Sequence, residues 1–178
     1  MTLRIQSLRV PAAALALVVL SAFAVGAATD AAADEARVTI HRVTIPAAHF
    51  VPVEDTDSYE NDGDKLSPTT GSASFAAPIP YSYDGTDHIF ITRVELLAYD
   101  NDAVGQVCLD VFRAEPANAT ESAMGWACTD DSMTDPQSLL SIPHTRRVNA
   151  GQRAYLWVYL GSPNVSLYGV RVTYTTNP

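Results

Sequence analysis

Five carboxylates crowd one short stretch of this chain. Asp55, Asp57, Glu60, Asp62 and Asp64 fall within ten residues of the segment EDTDSYENDGDK, and alternate carboxylates beside a glycine can wrap a hard cation with oxygen ligands. Asp55, Asp57, Asp62 and Asp64 are therefore the candidate calcium ligands. The spacing departs from an EF-hand: with Gly63 as the sixth position the first would be Ser58, and Thr69 stands at the twelfth where a bidentate Glu belongs. A hydrated acidic loop is the competing reading. Asp100, Asn101 and Asp102 make a second, shorter candidate, which turn chemistry explains equally well.

Tyr155, Trp157 and Tyr159 alternate within RAYLWVYL, so on a strand they share one face. Exposed, they would be a stacking platform for sugar rings or for another protein. Buried, they are simply core. For catalysis the chain offers no G-x-S-x-G elbow, no H-E-x-x-H and no phosphate-cradling glycine loop. His41, His49, His88 and His144 are widely spaced, without a ligand partner adjacent in sequence. The chain therefore reads as a non-enzyme with no cofactor beyond the optional calcium.

The N-terminus explains the setting in which such residues would work. Arg4 and Arg9 precede an apolar run from Val10 to Val25, which ends in Gly26, Ala27 and Ala28. That order is a secretory signal, with an apolar run shorter than a bilayer-spanning helix requires. Residues 1–28 are thus assigned to a cleavable signal, 29–36 to an Ala-rich linker and 37–178 to a single domain. Loss of Arg4 and Arg9 leaves nine basic residues against 20 acidic ones, a net charge of −11. Such a charge repels nucleic acid and anionic lipid. Secretion, to the medium, the periplasm or the cell surface, also puts Cys108 and Cys128 in an oxidising compartment, where a pair is expected to bond.

The elements that must position these groups are strands. Val, Ile, Thr, Tyr and Phe recur in short runs between Pro, Gly, Asn and Asp, and no dozen-residue segment has a helical period. In 37–45 Val38 and Ile40 have one parity and Val43 and Ile45 the other, so a bulge near His41 and Arg42 is expected to bring all four inward. The prolines of 75–80 suit an edge or a strand start. In 89–99, Phe90, Val94, Leu96 and Ala98 should share the inner face. Val107, Leu109 and Val111 should point inward, with Cys108, Asp110 and Phe112 opposite; Met124, Trp126 and Cys128 share one parity. Residues 51–74 read as a long polar insertion. Seven to nine strands make an all-β, antiparallel two-sheet sandwich, jelly-roll-like rather than immunoglobulin-like.

The pair RAYLWVYL and LYGVRVTY, with an upstream strand ending in YDND, resembles a scattered group of uncharacterised secreted bacterial β-domains over roughly residues 40–176. The resemblance implies an extracellular β-sandwich and carries over no activity. Because 153–160 is apolar on both faces, it should be a central strand whose aromatic set lies under a second cover, either the 51–74 loop or another subunit. The leading expectation is therefore an extracellular structural or protein-interaction module, with self-association as an option. The alternative is a carbohydrate-binding module that uses the aromatic platform and optional calcium. Mass spectrometry of the secreted protein should find its N-terminus near Thr29; an intact Met1 would refute the cleavable signal.

Overall fold

The protein is described by a computed structural model over residues 38–129 and 138–176. The expected signal (1–28) and linker (29–36) lie outside the described residues. Within them the chain forms β1 (Thr39–Pro46), β2 (Val51–Pro52), β3 (Tyr59–Asn61), β4 (Leu66–Pro68), β5 (Ala73–Pro78) and β6 (His88–Asp100). It continues through β7 (Val107–Glu115), β8 (Thr120–Cys128), β9 (Ser138–Asn149), β10 (Arg153–Leu160) and β11 (Val165–Thr176).

These strands make two antiparallel sheets. One has the order β2-β5-β10-β7-β8; the other runs β3-β4-β11-β6-β9, with β1 also paired to β11. Among the described strands only the β3–β4 and β7–β8 connections stay within a sheet, and every other step crosses to the facing one. That repeated crossing makes the sandwich jelly-roll-like. β10 is central, as its two apolar faces require.

The core lies between the sheets. Leu156, Val158 and Leu160 of β10 and Leu109 and Val111 of β7 meet Val94 and Leu96 of β6 and Leu167, Val170 and Val172 of β11, all with no exposed surface. Each such side chain stabilises the fold by about 1.5–3 kcal/mol before conformational costs. Val107, Leu109 and Val111 point inward as the alternation predicts.

Bulges and edges alter the expected parity in three places. β1 pairs with β11 in unbroken register from Thr39 to Pro46, so no bulge forms at His41 and Arg42, and Val38 and Ile40 are 53% and 66% exposed. His41 fills the inner position instead, stacked on Tyr174 at 4.8 Å. In β6 one extra residue stands against β11, since Arg93 pairs with Thr173 and Ile91 with Tyr174. Ile89 and Ile91 therefore go inward with Val94 and Leu96, and Phe90 turns to the outer face, edge-on to His88. In the third place a shift opposite Val111 and Phe112 turns Met124 into the core while Trp126 stays 70% exposed.

The insertion 51–74 is also more ordered than its polarity suggests, because it holds β2, β3 and β4. β5 is one strand in from the edge, and only Phe75 and Ala76 pair with the two-residue β2, so Pro78 stands beyond that ladder. Gly169 of β11 sits against β1 where a Cβ would come within 2.7 Å of the Ile45 carbonyl oxygen, which restricts this crossing to glycine.

Polar groups hold one crossing from within. Asp100 is wholly buried; it accepts a hydrogen bond from the Thr129 hydroxyl and, at 3.1 Å, from the Asp102 N–H. Thr129 Oγ1 in turn accepts from the Val107 N–H at 3.0 Å. Cys108 and Cys128 face each other across β7 and β8 and are bonded, with Cα atoms 4.0 Å apart. Since the bridge closes a 20-residue separation, replacing both cysteines by alanine should lower the unfolding free energy by about 3 kcal/mol. Denaturant melts measure this, and an unchanged midpoint would mean that the strand ladder alone holds β8.

Candidate functional site

Alternation sends one set of β10 side chains away from the core, and the register of its neighbours determines what stands beside them. Tyr155 pairs with Phe112 of β7, Trp157 with Asp110 and Tyr159 with Cys108. Asp110 pairs in turn with Trp126 of β8. On the other side Trp157 lies opposite Ala76 of β5, which is opposite Val51 of β2. One row across the outer face therefore reads Val51, Ala76, Trp157, Asp110, Trp126. Two strand spacings separate the indoles, about 10 Å, with a carboxylate between them.

This face is open. Tyr159 is 40% exposed, Trp126 70% and Val51 60%, while Tyr155, Trp157, Phe112 and Asp110 are half-buried. The rings do not form a single plane. Phe112 and Tyr155 stack at 5.3 Å with planes 17° apart, whereas Trp157 is tilted by 59° from Phe112. Small Ala76 leaves the β5 side of Trp157 low.

Two titratable groups of the face are perturbed by their surroundings. Burial raises the Asp110 carboxyl above the usual carboxylate range, because desolvation penalises the charged form. Burial, and then its hydrogen bond with Glu121, push the Tyr155 phenol up to about 12. Tyr155 is thus a neutral hydroxyl at any physiological pH, and Glu121 and Asp110 are acceptors beside aromatic rings. Carboxylate oxygens that accept hydroxyl hydrogens, set next to apolar ring faces, are suited to a polyol with both polar edges and apolar C–H faces.

The acidic candidates are not brought together. Asp57 accepts the Ser74 N–H at 2.9 Å, Asp62 pairs with Lys65 at 3.8 Å, and Asp55 and Asp64 are exposed. Gly63, at φ +96°, donates its N–H to the Asn61 side chain, so DGD forms the tip of the β3–β4 hairpin. In the second acidic candidate Asp100 turns inward, and Asp102 accepts from the Val104 N–H at 3.0 Å and the Asn164 amide at 3.4 Å. Contact with Ser162 and that N–H hold the Asp102 carboxyl below its ordinary range. Among the described residues no three His, Cys, Asp or Glu side chains converge on one point. His41, His49 and His88 are in different surroundings, and the side chain of His144 lies outside the described residues.

No protein-family description matches the chain, and no curated protein does. Solved structures do resemble it. A family 6 carbohydrate-binding module has 10% identity and a TM-score of 0.48 over 72% of this chain and 90% of its own. A xylan-binding module, CBM15, has 11% identity and a TM-score of 0.47 over 76% and 97%. The C-terminal CBM6 of a marine laminarinase from Zobellia galactanivorans has 16% identity and a TM-score of 0.45 over 75% and 99%.

The leading expectation, an extracellular structural or protein-interaction module with self-association as an option, is corrected here. The second cover expected over the aromatic set is not formed by the 51–74 segment. That segment instead extends the sheet edges through β2, β3 and β4, which leaves the face open. Sequence reasoning identified Tyr155, Trp157 and Tyr159 but missed Phe112, Asp110 and Trp126, which join them only through strand pairing.

Because its folded-state pKa is raised, Asp110 opposes folding at neutral pH, and that cost is relieved as pH falls through the raised value. Asp110→Asn should therefore raise the thermal midpoint at pH 7, with the gain vanishing in acid. Scanning calorimetry at several pH values measures it, and a lowered midpoint at pH 7 would show that the carboxylate is stabilised rather than desolvated.

Proposed function

We propose that this protein is a secreted, extracellular or cell-surface module that binds carbohydrate on the outer face of its five-stranded sheet. The observation that carries this reading is the row Trp157, Asp110, Trp126, flanked by Tyr155, Phe112 and Tyr159, with both indoles accessible. A face this rich in large rings raises the apolar surface exposed to water, and contiguous apolar patches on soluble domains mark binding sites. Sugar C–H faces would pack on the rings, and Asp110 and Glu121 would accept from sugar hydroxyls. The tilt between Trp157 and Phe112 suits a single twisted glycan chain better than a flat crystalline surface. Among the described residues no helix is long and apolar enough to cross a membrane.

Isothermal titration with soluble neutral oligosaccharides, xylohexaose, cellohexaose and laminarihexaose, tests the reading. At least one should bind, and Trp157→Ala should weaken that binding more than about tenfold, or ~1.4 kcal/mol. The variant should remain folded, since a half-buried ring costs less to truncate than the roughly 3–5 kcal/mol of a fully buried one. Absence of binding to every oligosaccharide at millimolar concentration would refute the proposal. Asp110→Asn should weaken binding about tenfold, because a charge-assisted hydrogen bond is lost.

A further inference from the structure

The opposite outer face, that of the six-stranded sheet, is not flat. Three depressions follow one another along β11 and β6. The first, about 770 Å³, lies over β3 and β4 and reaches Tyr99 and Tyr168. The second shares Tyr168 and passes Leu97 to Glu95 and Arg171. The third, about 370 Å³, shares Glu95 and Arg171 and ends at Arg42 and Arg93. Because each shares wall residues with the next, they form one groove along the strands. From Ser166 to Thr173 on β11 it extends about 23 Å, room for several sugar rings.

Its two ends differ in chemistry. At one end Tyr168 is the extra residue of a bulge, since Leu167 pairs with Ala98 and Gly169 with Leu97, and it shares the wall with Tyr99, Asn101 and Asn164. Rings and amides make up much of this wall, and the charges of Glu60 and Lys65 on it offset each other. At the other end the buried Glu95 holds Arg93 on one oxygen at 2.9 Å and Arg171 on the other at 3.6 Å. Both arginine side chains nevertheless keep 51% exposure, and the exposed Arg42 lines the same depression. Three guanidinium groups against one carboxylate leave a local surplus of positive charge on a chain whose formal net charge is −9. Guanidinium forks match the planar carboxylate and the sulfate group.

We propose that this groove is a second binding site, for an extended acidic glycan whose carboxylate or sulfate meets Arg42, Arg93 and Arg171 while a neighbouring ring packs on Tyr168. The proposal goes beyond the aromatic face and does not depend on it. Elongation of the groove and the tyrosines at its neutral end favour a glycan over an acidic peptide, which would need only the charges.

Calorimetric titrations of the wild type, Trp157→Ala, Arg42→Gln and Arg171→Lys test it, with hexagalacturonate, a sulfated carrageenan hexamer, xylohexaose and hexaglutamate as probes. Arg42 is exposed and outside the Glu95 pairs, so its substitution leaves the fold intact; Arg171→Lys keeps a positive partner for Glu95 but gives up the fork. At least one acidic glycan should bind the wild type and Trp157→Ala alike, about tenfold more weakly to Arg42→Gln, less tightly to Arg171→Lys, and with affinity falling as salt rises. The tighter of the two acidic glycans identifies the anion as carboxylate or sulfate. Three results would overturn the proposal: no binding of either acidic glycan, binding lost in Trp157→Ala but kept in Arg42→Gln, or hexaglutamate binding as tightly as the glycans. Xylohexaose, or whichever neutral hexasaccharide the aromatic face binds, reports separately on that face, because its binding should weaken in Trp157→Ala and persist in Arg42→Gln.

Discussion

Burial of Leu156, Val158 and Leu160 constrains everything on the sheet around them. These side chains have no exposed surface, and a strand sends successive residues to opposite faces, so Tyr155, Trp157 and Tyr159 have no choice but to stand outside. β10 lies in the middle of its sheet, where both neighbours bring their own outward residues alongside. β7 contributes Phe112 and Asp110, and β5 contributes Ala76. The aromatic face is therefore the necessary reverse side of the core, built by the same pairings. Nothing about folding required that reverse side to be aromatic, since Thr or Ser at those positions would satisfy the ladder and reduce exposed apolar surface.

Alternation made much of this legible before any coordinates. The inward set of β7, the central place of β10 and the two-sheet architecture follow from period-2 patterning and turn chemistry, and the disulfide pair from the expected oxidising compartment. Parity failed where the backbone departs from that period. Phe90, Ile91 and Val94 are all apolar, so nothing in their types marks the residue between Ile91 and Arg93 that is extra against β11 and reverses the faces. The opposite parities of Val38 and Ile40 and of Val43 and Ile45 suggest a bulge near His41 and Arg42; His41 is instead an inner residue whose ring stacks on Tyr174. Phe112, Asp110 and Trp126 stayed hidden because each joins the site through pairing between strands far apart in sequence, and the groove hid its arginines in the same way, at positions 42, 93 and 171.

Local density of carboxylates has several physical causes. Asp100 is buried and serves as an acceptor for the Thr129 hydroxyl and the Asp102 N–H, which fixes the passage from one sheet to the other. The charges around Gly63 belong to a hairpin turn, with Lys65 paired to Asp62. Asp110, isolated in sequence and unremarkable there, is the carboxylate flanked in register by two tryptophans. Density of like charge is cheap at a solvated loop, whereas a single carboxylate set among rings costs desolvation and is the more informative sign.

The same contrast separates the arginines of the opposite face. A buried Glu95 left without partners would cost several kcal/mol, about the penalty for breaking a buried ion pair, so Arg93 and Arg171 serve the fold whatever else they bind. Their forks are nonetheless half exposed, because one carboxylate has two oxygens and cannot occupy both guanidinium groups completely. Arg42 lies outside these pairs and adds charge that the fold does not use. On a strongly acidic chain, scattered arginines would each be offset by nearby carboxylates. Three gathered in one depression around a single Glu instead maintain a local positive potential against the overall charge, and this potential weakens little over the few ångströms that separate the side chains, which is less than a Debye length at physiological salt.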